Sequence, residues 1–305
     1  MMTEGRSGSV FGLLYWQWKF ALLFLAAGST TWAIHHYLDY PKWLLLPTLP
    51  LAVVGGAIGI FVSFRTNQAY DRWWEGRKLW GRLINSSRHF ATQVLSYLPR
   101  GADGTPTETQ RRLVHRHVAY VHSLRCLLRL QDPFADEAAF ELLDDKEREG
   151  LRGQSNITHA LLDTQTAELT TLCNEGKLDE LRLQSFDSTV AKLLDIQGGC
   201  ERIKKTPLPR GYGFIANRLV IAFSLIFPFA VVHHIGWAVI PVNLLVCLAF
   251  GLISEAGRVL EDPFNMFYNG LPLMAMARTI EVNIRERLGE RELPAIPEPV
   301  DGILM

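Results

Sequence analysis

Four apolar stretches interrupt an otherwise charged chain: Phe20–Ile34, Trp43–Phe64, Leu219–Val232 and Ile235–Ser254. The second carries no charge over 22 residues, and an apolar helix needs about 20 residues to cross a bilayer. The first and third are shorter, as expected of spans that tilt or are shielded by neighbouring subunits. Tyr15, Trp16 and Trp18 extend the first one upstream. His233 and His234 separate the third and fourth and mark a tight hairpin, and His35–Lys42 forms an equally short loop. No proline lies between Leu51 and Leu98. The second run is therefore predicted to continue as one helix, out of the membrane and into a soluble body.

That body, Arg65–Arg218, is about half the chain and reads as helical. Helices are predicted over Thr107–Leu130, stopped by Gln131-Asp132-Pro133, over Ser155–Cys173, closed by Gly176, and over Asp179–Gln197. Arg100–Pro106 reads as a loop and the three prolines after Leu293 as an extended tail. Neither strand alternation nor an internal repeat is visible. The fold class is thus an all-α integral membrane protein with four transmembrane helices and a large cytosolic helical region. Its expected organisation is residues 1–64 (N-terminal segment and helices 1–2), 65–218 (cytosolic), 219–254 (helices 3–4) and 255–305 (cytosolic helix and tail). Lys42 is the sole Lys or Arg in the two outer loops. The positive-inside rule then places both termini and the Arg65–Arg218 segment in the cytosol of a cell with a multi-pass protein in its inner membrane.

Composition adds mostly exclusions. The 305 residues carry a formal net charge of zero, which gives no reason to expect a nucleic-acid partner. Cys126, Cys173, Cys200 and Cys247 are scattered without a CxxC pair, against a disulfide framework or a structural zinc. No GxSxG, HExxH or P-loop pattern is present, and neither a cofactor nor a metal is expected. His115 and His117 sit two residues apart and so on different helix faces. His35-His36 and His233-His234 are expected to approach each other at the outer surface, chiefly as interfacial polar residues.

Several positions stand out against this background. Gly55 and Gly59 make a GxxxG pair, a helix-packing face. Gly56, Ile60 and Phe64 recur on an adjacent face, to be read as lipid contact, as core, or as apolar rings of a pore. Just below, Arg72, Trp73, Trp74 and Glu75 read either as an interfacial aromatic belt or as paired charges fixing a junction. Gly198-Gly199-Cys200-Glu201-Arg202 permits close helix approach or a bend, with Glu201 and Arg202 as further junction charges or a solvated helix end. Glu261 and Asp262 repeat the theme and are a possible, weakly specified cation contact. In the Asp179–Gln197 helix, Leu183, Phe186, Val190, Leu193 and Leu194 form the core stripe. Leu181 points almost opposite, among Gln184, Ser188 and Asp195. It is a lone exposed leucine, a subunit contact, or an apolar constriction in a wet channel.

Three segments together resemble the bestrophin family in its bacterial branch. They are Ser63-Phe64-Arg65-Thr66-Asn67 through Arg72-Trp73-Trp74-Glu75-Gly76-Arg77-Lys78-Leu79-Trp80-Gly81, then Gly198-Gly199-Cys200-Glu201-Arg202-Ile203 with Thr206-Pro207-Leu208-Pro209, then Glu261-Asp262-Pro263-Phe264. The match runs in order and spacing from about Gly12 to Arg287. The resemblance implies a homopentameric ion channel whose partners are its own copies, membrane lipid and permeant ions. It implies a membrane-level neck at Gly56, Ile60 and Phe64 and a cytosolic aperture at Leu181. It also implies passive conduction of small monovalent ions, chloride by family habit, with cation conduction as in some bacterial relatives. Two departures accompany it. Gly56 stands where the family often has a larger aliphatic residue, leaving apolar rings at Ile60 and Phe64. Only Glu261 and Asp262 remain of the acidic run that forms the calcium clasp of animal members. The rival classes are a membrane-bound enzyme acting at the lipid interface, with Arg72, Glu75, Glu201 and Arg202 as its polar cluster, and a structural membrane protein.

Overall fold

The computed structural model describes residues 17–38, 46–208, 210–267 and 269–299. Tyr15, Trp16, Lys42, the Trp43 start of the second apolar run, Pro209 and the last residues of the tail lie outside them. Among the described residues the regular elements are helical. They are α1 (Trp18–Tyr37), α2 (Thr48–Tyr97), α3 (Glu108–Arg129), α4 (Glu137–Phe140), α5 (Asp145–Gly150), α6 (Ile157–Asn174), α7 (Glu180–Lys205), α8 (Arg210–Ile235), α9 (Val239–Leu260) and α10 (Leu273–Arg287), with short 3-10 turns before α4 and between α8 and α9. Packing groups the chain into two units. One holds Trp74–Thr206 and the residues from Asp262 on; the other holds the described residues up to Trp73 with Pro207–Glu261. This is a grouping by contact, whereas the four-part organisation read from hydropathy is a grouping by environment.

The second unit brings α1, α8, α9 and the first half of α2 together. α2 continues unbroken for 50 residues, as the lack of proline after Leu51 predicts. α8 and α9 form the expected hairpin, closed by Gly236 at φ +56° just after His233 and His234. Phe24, Ile58, Val62, Val220, Phe223 and Cys247 form its core. Small residues allow the helices to close on one another. A Cβ on Gly28 would stand 3.1 Å from the backbone of Ile240, one on Gly55 3.1 Å from the Phe223 ring, and one on Gly59 3.4 Å from Phe250. The Gly55/Gly59 pair is thus a packing face. Asn243 is buried between these helices and donates to the Phe24 carbonyl at 2.9 Å, so its amide is satisfied without water. The His35 and His233 rings meet with centroids 5.9 Å apart.

The first unit is built around α3, buried along most of its length. Thr107 starts it through a capping box: the Thr107 N–H donates to Gln110 Oε1 at 2.9 Å while its hydroxyl accepts from the Gln110 N–H. Leu130 ends it in the left-handed region, φ +56°, with the Gln131 N–H reaching back to the Cys126 carbonyl. α6 ends in the same motif at Gly176, φ +71°, where Lys177 N–H donates to the Leu172 carbonyl at 2.9 Å. Charged α3 side chains are paired as their burial requires. Arg116 meets Glu147 and Glu168, Arg125 meets Asp136 at 2.6 Å, and His122 meets Glu281 of α10 at 2.9 Å. His115 instead reaches Glu290 at 2.6 Å, and His117 stacks on Phe90 with centroids 4.9 Å apart. The two histidines thus face different surroundings.

α7 runs past Gln197 to Lys205, because Gly198 and Gly199 stay helical rather than bending it. Phe186, Val190 and Leu193 are buried on its core face and Leu183 is half-buried. Leu194 is exposed at 37%. Ile196, Gln197 and Cys200 continue the buried stripe in its place, since the 3.6-residue repeat carries the core face from Leu193 to Gln197 and Cys200.

Candidate functional site

Two stretches long and apolar enough to cross a membrane stand out by length and composition, one within Thr48–Tyr97 and one, Gly213–Leu260, that takes in the α8–α9 hairpin. Only 22% and 17% of their apolar windows are buried within the chain. A core helix of a water-soluble protein hides its apolar surface, so these surfaces call for a lipid or subunit environment.

α2 has two sides in this region. Gly55, Ile58, Val62, Arg65 and Ala69 are buried, at the spacing of one helix face. Gly56 is exposed with open space where a Cβ would stand, Ile60 is 74% exposed and Phe64 58% exposed. The chain therefore leaves its Gly56–Ile60–Phe64 face uncovered while burying the opposite one. Ile60 and Phe64 are one turn apart, about 6 Å along the helix axis.

Directly after Phe64 the chain buries a cation. Arg65 donates to the Ser254 hydroxyl at 3.2 Å and lies 3.7 Å from the Glu261 carboxylate. A Cβ on Gly213 would stand 2.8 Å from its guanidinium, and one on Gly257 2.9 Å from the Thr66 hydroxyl, which itself donates to the Ile253 carbonyl at 3.0 Å. Gly213 and Gly257 thus make room for Arg65 and Thr66. Sequence reasoning missed both, since a glycine's role here depends on a residue about 150 to 190 positions away in the chain. Arg72 donates through Nε to the Glu261 carbonyl at 2.8 Å, and Trp73 lies against Tyr70 with ring centroids 6.2 Å apart. Trp74 is 46% exposed.

In the first unit, Glu75 pairs with Arg202 at 2.6 Å. Glu201 turns to Lys205 at 2.8 Å and accepts from Gln197 at 2.8 Å. Burial opposes its ionisation, but Lys205, Gln197 and Asn156 outweigh that and hold its carboxyl below the usual glutamate value. Asp262 meets Lys204 at 2.7 Å and accepts from the Phe264 N–H at 3.0 Å. Glu261 and Asp262 are therefore each matched to a basic residue of this chain. A Cβ on Gly76 would stand 3.0 Å from the Pro263 ring, and one on Gly199 3.0 Å from both Leu79 methyls. One glycine of each dense motif, Gly76 and Gly199, is thus a place of close approach. Cys200, between them, is fully buried, and that burial pushes its thiol up to about 12, so it is no nucleophile at neutral pH. Carboxylates neutralised by cations and a protonated thiol offer no activated nucleophile among these residues.

On α7, Asp179 caps the helix by accepting from the Arg182 N–H at 2.9 Å. Leu181, in its first turn, is 79% exposed. Gln184, Ser188 and Asp195 are exposed with it. Lys192 belongs to the same face and was missed; its position eleven residues after Leu181, close to three full turns, is the signal that would have found it.

Comparison with known proteins identifies the family. The family described as Bacterial/Fungal Bestrophin protein matches residues 4–286. A voltage-dependent anion channel-forming protein of Mesorhizobium japonicum is 33% identical over 248 residues, 81% of this chain and 77% of the relative. One from Ralstonia nicotianae is 34% identical over 262 residues, 86% and 83% of the two chains. The crystal structure of a bacterial bestrophin homologue from Klebsiella pneumoniae superposes with a TM-score of 0.82 at 30% identity, covering 89% of this chain and 98% of that one. A point-mutated form of the Klebsiella homologue gives a TM-score of 0.83 over 90% and 100% of the two chains. The chain belongs to the bacterial and fungal bestrophin family.

Proposed function

We propose that this chain is one subunit of a homopentameric bestrophin-like ion channel in the inner membrane, with both termini in the cytosol. It conducts small monovalent ions passively through one central pore. The observation that carries the reading is the uncovered Gly56–Ile60–Phe64 face of α2, opposite the side that buries Ile58 and Val62. An oligomer that turns this face inward gains a pore neck of stacked Ile60 and Phe64 rings, wide at Gly56, that admits ions when wetted. Leu181, exposed at the start of α7, forms the cytosolic aperture. Arg72, Trp73, Trp74, Glu75, Glu201 and Arg202 fix the chain where it passes from membrane to cytosol. Glu261 and Asp262, matched to Arg65 and Lys204, belong to that fixation and act as charge partners rather than as a calcium clasp.

Anions are the favoured permeant species. The relatives are named as voltage-dependent anion channel-forming proteins. Phe rings turned edge-on to the pore add positive edges to the same end. The reading leaves no catalytic role to assign. Reversal potential in planar bilayers under a KCl gradient tests it, with parent, Phe64→Ala and Leu181→Ala. A chloride-directed potential is expected from the parent, a larger current from Phe64→Ala and an altered conductance or selectivity from Leu181→Ala. Two variants that conduct like the parent refute the pore assignment.

A further inference from the structure

On α7, Lys192 follows Leu181 by eleven residues, which is about 20° around the helix and roughly 16 Å along it. Asp195 follows by fourteen, about 40° to the other side. Both therefore share the Leu181 face, and both are exposed. Opposite them within the same unit stands the 79–86 stretch of α2. The two helices border an open cavity of about 260 Å³ lined by Arg82, Asn85, Ser86, Lys192 and Asp195 over an apolar floor that includes Leu79. Among the described residues no ion pair or hydrogen bond engages the side chain of Arg82, Asn85, Lys192 or Asp195. These charges are held near one another and left unpaired by the chain that carries them.

The chemistry of the lining selects its ligand. Two fixed cations face one carboxylate, for a net charge of +1 per subunit. Guanidinium, ammonium, amide and hydroxyl donors outnumber the acceptors. The volume is several times the roughly 30 Å³ of a water molecule, so an ion can enter with part of its hydration shell. A divalent cation would find a single carboxylate beside two positive charges, and a polyphosphate would find too little charge to balance it. We propose that this cavity is an anion-binding station on the wall of the cytosolic vestibule. It holds a partly hydrated monovalent anion, a halide or a small carboxylate, between Arg82 and Lys192, and it biases permeation toward anions. The inference rests on the channel reading above, since it takes the Leu181 face to be the pore face. Asp195 alone points to cations; with Lys192 and Arg82 in place the balance reverses.

The test uses the full-length protein. Crystals soaked in sodium bromide, read by anomalous scattering, are expected to show bromide between Arg82 and Lys192 in the parent. The Arg82→Gln/Lys192→Gln double variant should lose that density, and its chloride-to-potassium permeability ratio should fall at least about threefold as a focusing field is removed. Arg82→Lys, which keeps the charge, should retain both the density and the ratio. Because these side chains hold no partner within the chain, neither variant should disturb folding, and an unchanged melting temperature checks that. No bromide in the cavity of the parent, or an unchanged permeability ratio in the double variant, overturns the proposal. If the parent passes no current under any condition, the channel reading falls by itself, and bromide bound by the parent and absent from the double variant still establishes the anion site.

Discussion

Gly198 and Gly199 are adjacent on α7 and offer a paired experiment. Alanine is better in a helix than glycine by about 0.8–1.0 kcal/mol, and that gain is common to both positions. Their surroundings differ. A Cβ at 198 meets nothing within 4 Å, whereas a Cβ at 199 comes 3.0 Å from both Leu79 methyls and 3.6 Å from its Cγ. Leu79 has two branches at that contact and is only 7% exposed beside the fully buried Trp80. Leu79 or the helices must give by a few tenths of an ångström, and overpacking of this kind costs about 1–3 kcal/mol. Gly198→Ala is therefore expected to stabilise by up to about 1 kcal/mol and Gly199→Ala to lie that same 1–3 kcal/mol below it. At about 2–4 °C per kcal/mol, the two melting temperatures should differ by roughly 2–12 °C. Differential scanning fluorimetry of the detergent-solubilised protein reads this directly. A double-mutant cycle with Leu79→Ala should return a coupling energy of about 1 kcal/mol or more, since residues in contact do not add. Equal melting temperatures for the two alanine variants refute the close approach. Because α7 also carries Leu181, Gly199→Ala is expected to change single-channel conductance as well, and Gly198→Ala to leave it unchanged.

Two further outcomes follow from the first unit. Leu130 holds a left-handed conformation, φ +56°, at 81% exposure. A β-carbon there costs about 1 kcal/mol, so Leu130→Gly should raise the melting temperature by a few degrees, and a fall would mean that the leucine packs against a neighbouring subunit. His117 is fully buried and finds no hydrogen-bond partner for either ring nitrogen among the described residues, and burial lowers its pKa to about 3. The folded state thus binds this proton less tightly than the unfolded state. The stability at issue is intact above about pH 6.5 and is lost as pH falls toward 3. His117→Phe, which keeps the stacking on Phe90, should flatten the stability-versus-pH curve between those values. A curve as steep as the parent's would place the acid sensitivity elsewhere, for instance at Glu281, whose contribution is lost only between pH 4.5 and about 2.

Legibility in the sequence followed the range of the interactions involved. Helix ends fixed by neighbours within a turn were readable: Thr107 before Gln110, Gly176 after Asn174, and the unbroken α2 from the absence of proline. So was the odd phase of Leu181, because a helix converts spacing into direction without help from the rest of the chain. The α7 terminus was missed by eight residues, since glycine at 198 and 199 has no intrinsic meaning until Leu79 fills the space opposite one of them. Gly213 and Gly257 were invisible for the same reason, their partners being Arg65 and Thr66. Charge was the hardest to read. Asp195, taken alone on the Leu181 face, argued for cations. Lys192 stood on that face in the same sequence, yet its importance came only from Arg82, more than a hundred residues earlier, lining the same cavity. The sign of a site's field is a sum over residues that tertiary structure gathers. In this chain the apolar Gly56–Ile60–Phe64 face is legible locally, and the charge balance around Lys192 is not.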